Sequence, residues 1–283
     1  MSTLIIDKDT CTTCGICEKV CPAGCICMSE SNSFPEMRDG QSDNCILCGH
    51  CVAVCPSGSI SLDSMQADAC EPFQENQLPS ADEMGLFLRS RRSIRKFSGK
   101  VVDHAVFEEL LDTARYAPTG GNGQHVSWIV YENSEKLRPL ASMVNDWMKG
   151  LAEQVPDKNR AASMRRLSDA WDSGRDWVLR DAPYLMLVHG PKGSSADSVI
   201  ALTYLELIAA RKGLGTCWAG YLTAASKSYA PLIEALDLPE GHELHGGVMI
   251  GYPKYTYKRV PLRKDLKCEW RSEHQTQYTQ YNI

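Results

Sequence analysis

Two runs of four cysteines constrain this 283-residue chain more than any other feature. Cys11, Cys14, Cys17 and Cys21 precede Pro22 in the spacing C-x2-C-x2-C-x3-C-P. Cys45, Cys48, Cys51 and Cys55 precede Pro56 in the same spacing, 34 residues later. When Cys11 to Met28 is aligned with Cys45 to Leu62, nine of eighteen positions are identical: the cysteines, Gly15/Gly49, Val20/Val54, Pro22/Pro56, Gly24/Gly58 and Ile26/Ile60. The segment is an internal duplication, so whatever its thiols hold, they hold twice.

Thirteen cysteines in a secreted chain would suggest disulfides. The start MSTLIIDKDTC lacks the basic residues and apolar stretch of a signal peptide, and no uninterrupted apolar run of membrane-spanning length follows. The expectation is a soluble, cytoplasmic protein with no membrane span, whose dense thiols hold metal. The spacing is the bacterial iron–sulfur signature, in which three close cysteines wrap three corners of a cubic cluster and the fourth ligates the other cluster. Cys11, Cys14, Cys17 and Cys55 are therefore assigned to one [4Fe–4S] cluster, and Cys45, Cys48, Cys51 and Cys21 to the other. A pair of zinc sites is the competing reading, since soft thiolates also suit that ion. Zinc sites usually separate their ligand pairs by about a dozen residues or more, and the third cysteine and the C-P ending have no zinc rationale. Cys25 and Cys27 stand where the second repeat has Ser59 and Ser61. Both sets of four are complete without them, so they read as small buried residues beside a cluster. Cys70, Cys217 and Cys268 lack partners at ligand spacing and read as structural. Residues 1–64 resemble the two-cluster bacterial ferredoxins.

Charge is partitioned in the same way. Residues 1–64 carry eight acids and three bases, a balance of -5 that equals the net charge of the whole chain. Such a surface steers toward basic partners, an external ferredoxin or similar electron donor among them, although a merely solvated face is the alternative. No lysine- or arginine-rich run points to nucleic acid.

Residues 65–83 contain Pro72 and Pro79 without clear periodicity and read as a linker. Beyond it the pattern is that of an α+β domain. Asp103 caps an expected helix with Val106, Leu110, Leu111 and Ala114 on one face, ending before Pro118. Val126 to Tyr131, Tyr184 to Gly190 and Gly246 to Tyr252 read as strands buried on both faces. Between the last two, a helix with Asp197 as its cap and Gly213 as its stop is apolar around most of its circumference. It is expected deep in the core or in a subunit interface.

Four stretches of this half carry a second resemblance: RRSIRKF (91–97), APTGGNGQHVSW (117–128), GLGTCWAGYL (213–222) and IGYPKYTYKRVPLRK (250–264). In this order they resemble the nitroreductase family of FMN-dependent reductases, over roughly residues 84–268. The implied layout is a two-cluster domain at 1–64, a linker at 65–83, an α+β FMN domain at 84–270 and a tail at 271–283.

The resemblance implies an FMN site whose chemistry suits particular residues. Arg91, Ser93 and Arg263 offer charge-assisted donors to phosphate and ribityl oxygens. Arg95 is the candidate for the N1 and C2-carbonyl side of the ring, where a cation raises the potential of the two-electron couple. Arg92 lies between two proposed ligands, with a surface ion pair as its alternative. Thr119 and Asn122 supply short polar groups, Gly120 lets backbone amides approach, and Gln124 lies nearby, although Asn122 also suits a plain turn. A backbone N–H of Ala219 or Gly220 is placed at flavin N5. His125 stands where many family members have proline and reads as structural. Arg259 and Lys264 flank Arg263 as weaker candidates.

These parts imply a cytoplasmic, homodimeric reductase, FMN at its subunit interface, from an anaerobe. Electrons would pass through two clusters to FMN and on to a small acceptor such as a nitroaromatic, a quinone or an activated alkene. No protein nucleophile or general base is evident, so the cofactor would carry the chemistry. Alternatives are an NAD(P)H-oxidising flavoprotein delivering electrons outward to ferredoxin, an electron carrier without its own substrate, and a flavin-remodelling or dehalogenating enzyme. Trp147, Trp171 and Trp177 fall in the region expected to form a lid and read first as core residues.

Overall fold

A computed structural model describes residues 3–272 and 275–281. Of the expected tail, residues 273–274 and 282–283 lie outside the described residues, as do residues 1–2 of the first domain.

The cysteine-rich segment is built twice. Its first half contains β1 (Leu4–Ile6), α1 (Ile16–Val20) and β2 (Ile26–Met28); its second contains β3 (Pro35–Met37), α2 (His50–Val54) and β4 (Ile60–Leu62). β1 pairs antiparallel with β4 and β2 with β3, so each small sheet ties the two halves together. Gly15 and Gly49 precede α1 and α2 with φ of 69° and 70°, a left-handed conformation that glycine adopts without strain. The duplication therefore extends to backbone dihedrals. Ile26, Val52, Ile60 and Leu62 form the small core between the two thiol clusters.

The segment expected as linker contains short 3₁₀ turns at Ala67–Ala69 and Glu75–Gln77. Helix α3 (Ala81–Ser90) then begins inside it, because Ser80 and Glu83 cap each other reciprocally. α4 (His104–Ala114) starts at the Asp103 cap, whose carboxylate accepts from Ala105 N, and it buries Phe107, Leu110 and Ala114.

The large domain is a four-stranded sheet, β5 (Ser127–Tyr131), β6 (Tyr184–Pro191), β7 (Gly215–Trp218) and β8 (His242–Gly251), in the order β5-β6-β8-β7 with every pair antiparallel. Helices α5 (Ser134–Gln154), α6 (Lys158–Asp172), α8 (Gly220–Ala225) and α9 (Ala230–Leu236) join the core on one face, and α4 and α7 (Ser195–Arg211) join it on the other. Strand β6 shows why: Leu185 and Leu187 enter the first core, while Tyr184, Met186 and Val188 enter the second. β5 departs from expectation. It is an edge strand whose five residues are all half-buried, because no strand covers its outer side. A hairpin of β9 (Leu266–Ser272) and β10 (Gln275–Tyr281) closes the described chain.

α7 also departs from expectation. It starts after Ser194 rather than at an Asp197 cap, and it buries only one face, formed by Ser198, Ala201, Leu202, Leu205, Glu206 and Ala209. Val199, Ile200 and Tyr204 are 36–39% exposed.

Candidate functional site

Cys11, Cys14, Cys17 and Cys55 line one cavity of the small domain, and Cys21, Cys45, Cys48 and Cys51 line another. Each cavity takes three thiols from one run and the fourth from the other. Among the described residues no three His, Cys, Asp or Glu side chains converge tightly enough for a single metal ion. Thiols spaced around a cavity suit a multi-iron cubane better than one tetrahedral zinc, so the donor sets fit the clusters.

The two cavities differ in polarity. Beside Cys55, Ser57 Oγ lies 3.7 Å from the thiol sulfur, Ser59 Oγ 2.6 Å from Ser57 Oγ, and Thr10 Oγ1 2.9 Å from Ser59 Oγ. Burial raises the Cys55 pKa, but the Ser57 hydroxyl and nearby amides outweigh it, leaving the thiol below its ordinary range. At the other site Ala23 and Cys25 replace the serines, and the sulfur of Cys21 accepts the amide of Cys25 at 3.3 Å. Burial pushes Cys51 up to about 11.

The second candidate site lies at the β7 edge of the large sheet. The segment 91–97 runs past this edge with Ile94 N donating to Thr216 O at 2.8 Å. The approach is so close that a Cβ on Gly215 would sit 2.3 Å from Ile94 Cγ1, which explains the glycine. Behind it, buried Glu206 of α7 collects three donors: Arg91 Nη1 at 3.0 Å and Thr216 Oγ1 at 2.9 Å on one oxygen, Trp218 Nε1 at 3.2 Å on the other. A buried carboxylate needs such partners, and this one fixes the arginine and indole together.

A cavity of about 570 Å³ opens beside this group, lined among others by Arg95, Trp147, Trp177, Cys217, Trp218 and Gly220. Its size and its mix of aromatic walls with a few polar groups fit a flavin. Arg95 and Gly220 thus meet at one cavity, and Arg91 is tied in through Glu206. Arg92 and Ser93 are half-buried beside them. Ala219 is corrected: its N–H donates to Gly247 O at 2.8 Å and is not free for flavin N5. Gly220 begins α8, so its N–H lies outside the helix ladder. Arg263, Arg259 and Lys264 are exposed after β8 and do not line the cavity.

The loop 119–124 lies elsewhere. It leads into β5, three strand spacings from β7, a separation of about 14 Å. Thr119 Oγ1 accepts from Gln124 N at 3.1 Å, and Asp197 Oδ2 accepts from Gly120 N at 3.1 Å, with His125 Nε2 3.0 Å away. Asn122 points to the small domain, its Nδ2 donating to Ile46 O at 2.9 Å and Leu47 O at 3.1 Å. Asn122, expected as a short polar group of the flavin loop or as a plain turn residue, thus has its amide nitrogen engaged across the domain boundary. Sequence reasoning missed Glu206 and Asp197 as organisers. A lone acid in an apolar helix was the available signal.

Fold and sites together define an oxidoreductase domain carrying an iron–sulfur module. The nitroreductase family model matches residues 88–252, more than half of the chain, and a 4Fe-4S dicluster domain matches residues 6–59. The chain belongs to the nitroreductase family. An Archaeoglobus fulgidus protein provisionally named an NADH dehydrogenase/NAD(P)H nitroreductase is 27% identical over 165 residues, 58% of this chain and 82% of that one. Crystal structures of nitroreductases with bound FMN from Bacteroides fragilis and Desulfitobacterium hafniense share the fold. Both are 23% identical and cover 64% of this chain and 95% of theirs, with TM-scores of 0.52 and 0.53. Among the described residues no helix is long and apolar enough to cross a membrane.

Proposed function

We propose that this protein is a cytoplasmic reductase that takes single electrons from an external ferredoxin-type donor through two [4Fe–4S] clusters to FMN, and uses them to reduce a small organic acceptor. Bound FMN supplies the conversion of one-electron to two-electron chemistry. The chain's own residues hold and orient it. Arg95 would set a positive charge beside the ring and Gly220 would offer a backbone donor, while Glu206 fixes Arg91 and Trp218 in place. Trp147 and Trp177 line the same cavity and would cover the acceptor side. The observation that carries the reading is the pair of hydrogen bonds from Asn122 to Ile46 and Leu47, which ties the cluster domain to the flavin domain.

A homodimer is part of the proposal. Within one chain the loop of Thr119, Gly120 and Gln124 adjoins β5 and the cavity of Arg95 adjoins β7, at opposite edges of the sheet, and in the proposal a second copy brings both groups to one flavin. The exposed Val199, Ile200, Tyr204, Trp218 and Tyr221 supply an apolar surface for that contact. The open cavity favours a reductase over a carrier, which needs no space beside its flavin.

The provisional name of the Archaeoglobus relative favours a second reading, in which NAD(P)H reduces the flavin and electrons leave through the clusters. Anaerobic stopped-flow mixing with reduced ferredoxin, NADH and NADPH separates the two. Rapid flavin bleaching by ferredoxin supports the proposed direction. Bleaching by NAD(P)H with no response to ferredoxin reverses it.

A further inference from the structure

The duplicated cluster domain contains its own internal control. The loop between Cys11 and Cys14 and the loop between Cys45 and Cys48 have the same backbone course, with Thr13 at φ 51° and Leu47 at φ 52°. Their residues differ. The first loop carries Thr12 and Thr13, polar and exposed to water; the second carries Ile46 and Leu47, apolar yet 37% and 38% exposed. Among the described residues, hydrogen bonds from the large domain reach only the second loop, where Asn122 donates one amide hydrogen to each carbonyl.

Asn122 is held ready for this. Its φ of 55° is one that asparagine tolerates, and the backbone on either side is pinned by the bonds from Gly120 to Asp197 and from Gln124 to Thr119. We propose that Asn122 is a positioning residue that clasps the 45–48 loop to the flavin domain. The cluster of Cys21, Cys45, Cys48 and Cys51 is then the one that exchanges electrons with the flavin which the 119–124 loop meets in the proposed homodimer, and the cluster of Cys11, Cys14, Cys17 and Cys55 is the outer one. The inference rests on the proposed passage of electrons between the domains. Each transfer moves one electron from the reduced inner cluster to the flavin. Two transfers, with protons from solvent and electrons from the external ferredoxin-type donor, complete its reduction.

The test uses full-length holoprotein with iron, sulfide and FMN contents measured, together with Asn122→Asp and Asn122→Gly. Both variants tolerate the left-handed backbone and lose the donors. Hydrogen exchange in peptides covering 45–48 is expected to quicken roughly tenfold or more, since two net hydrogen bonds are lost. Exchange in 11–14 should not change. Photoreduction of the clusters should then reduce the flavin at least about tenfold more slowly, while reoxidation of chemically reduced flavin by a quinone keeps its rate. Wild-type exchange and transfer in both variants overturn the clasp, as does loss of FMN with 45–48 still protected, which would make Asn122 a flavin ligand. If wild-type clusters never reduce the flavin, the proposed function fails instead, and the exchange measurement still judges the clasp.

Discussion

Glu206 is the residue on which the β7 edge turns. Three donors converge on its carboxylate, and its side chain is 7% exposed. Glu206→Ala leaves the Arg91 charge, a hydroxyl and an indole without their acceptor. A loss of about 3 kcal/mol in folding stability is expected, read as a lower denaturant midpoint at unchanged slope. Ser57 acts in the same way on a sulfur. Ser57→Ala removes the hydroxyl beside Cys55 and is expected to lower the potential of the Cys11/Cys14/Cys17/Cys55 cluster alone, seen by redox titration with electron paramagnetic resonance. Equal shifts in both clusters would contradict that local role. At this scale the sequence was legible where chemistry fixes spacing. The cysteine runs named their residues because a cubane allows few alternatives. Ala219 was not legible, since whether its N–H is free depends on Gly247 lying opposite. Nor was Asn122, whose partners are 75 and 76 residues away.

Among the elements, α7 links most functions. Its N-terminal turn holds the 119–125 loop through Asp197, its middle holds Arg91 through Glu206, and its outer face is bare. In the proposed homodimer, Tyr204→Glu places a charge in the contact and should shift the sedimentation profile toward monomer, with loss of FMN. Unchanged association would move the contact elsewhere. Strands β6 and β8 make a pH prediction. Burial holds His189 and His245 below their ordinary 6.5. As pH falls through that value the unfolded chain binds protons more readily than the folded one, so stability drops. Melting at pH 5.5 should therefore fall below that at pH 7.5 by about 2–4 °C per kcal/mol lost, and His189→Gln should narrow the gap. Equal melting temperatures would contradict this. The buried strands β6 and β8 and the Asp103 helix could be read from apolar runs and a cap. The single-sided burial of α7 could not, because an all-round apolar pattern does not say which face meets another molecule.

At the scale of the whole molecule, a duplicated acidic module and a family domain are joined by the segment 65–80 and, among the described residues, by the hydrogen bonds of the Asn122 side chain. The duplication is visible in sequence, whereas its asymmetry acquires meaning only once Ile46 and Leu47 are seen against Asn122. Nor does sequence order reveal that the two groups of proposed flavin contacts adjoin β5 and β7, at opposite edges of the sheet. The central claim is that electrons held on the clusters reach the flavin. Its most direct test is anaerobic photoreduction of the purified holoprotein, following cluster and flavin absorbance together. The account predicts cluster bleaching followed by flavin bleaching at a rate independent of protein concentration. Reduced clusters beside a flavin that stays oxidised, or a rate that rises with concentration, would contradict it.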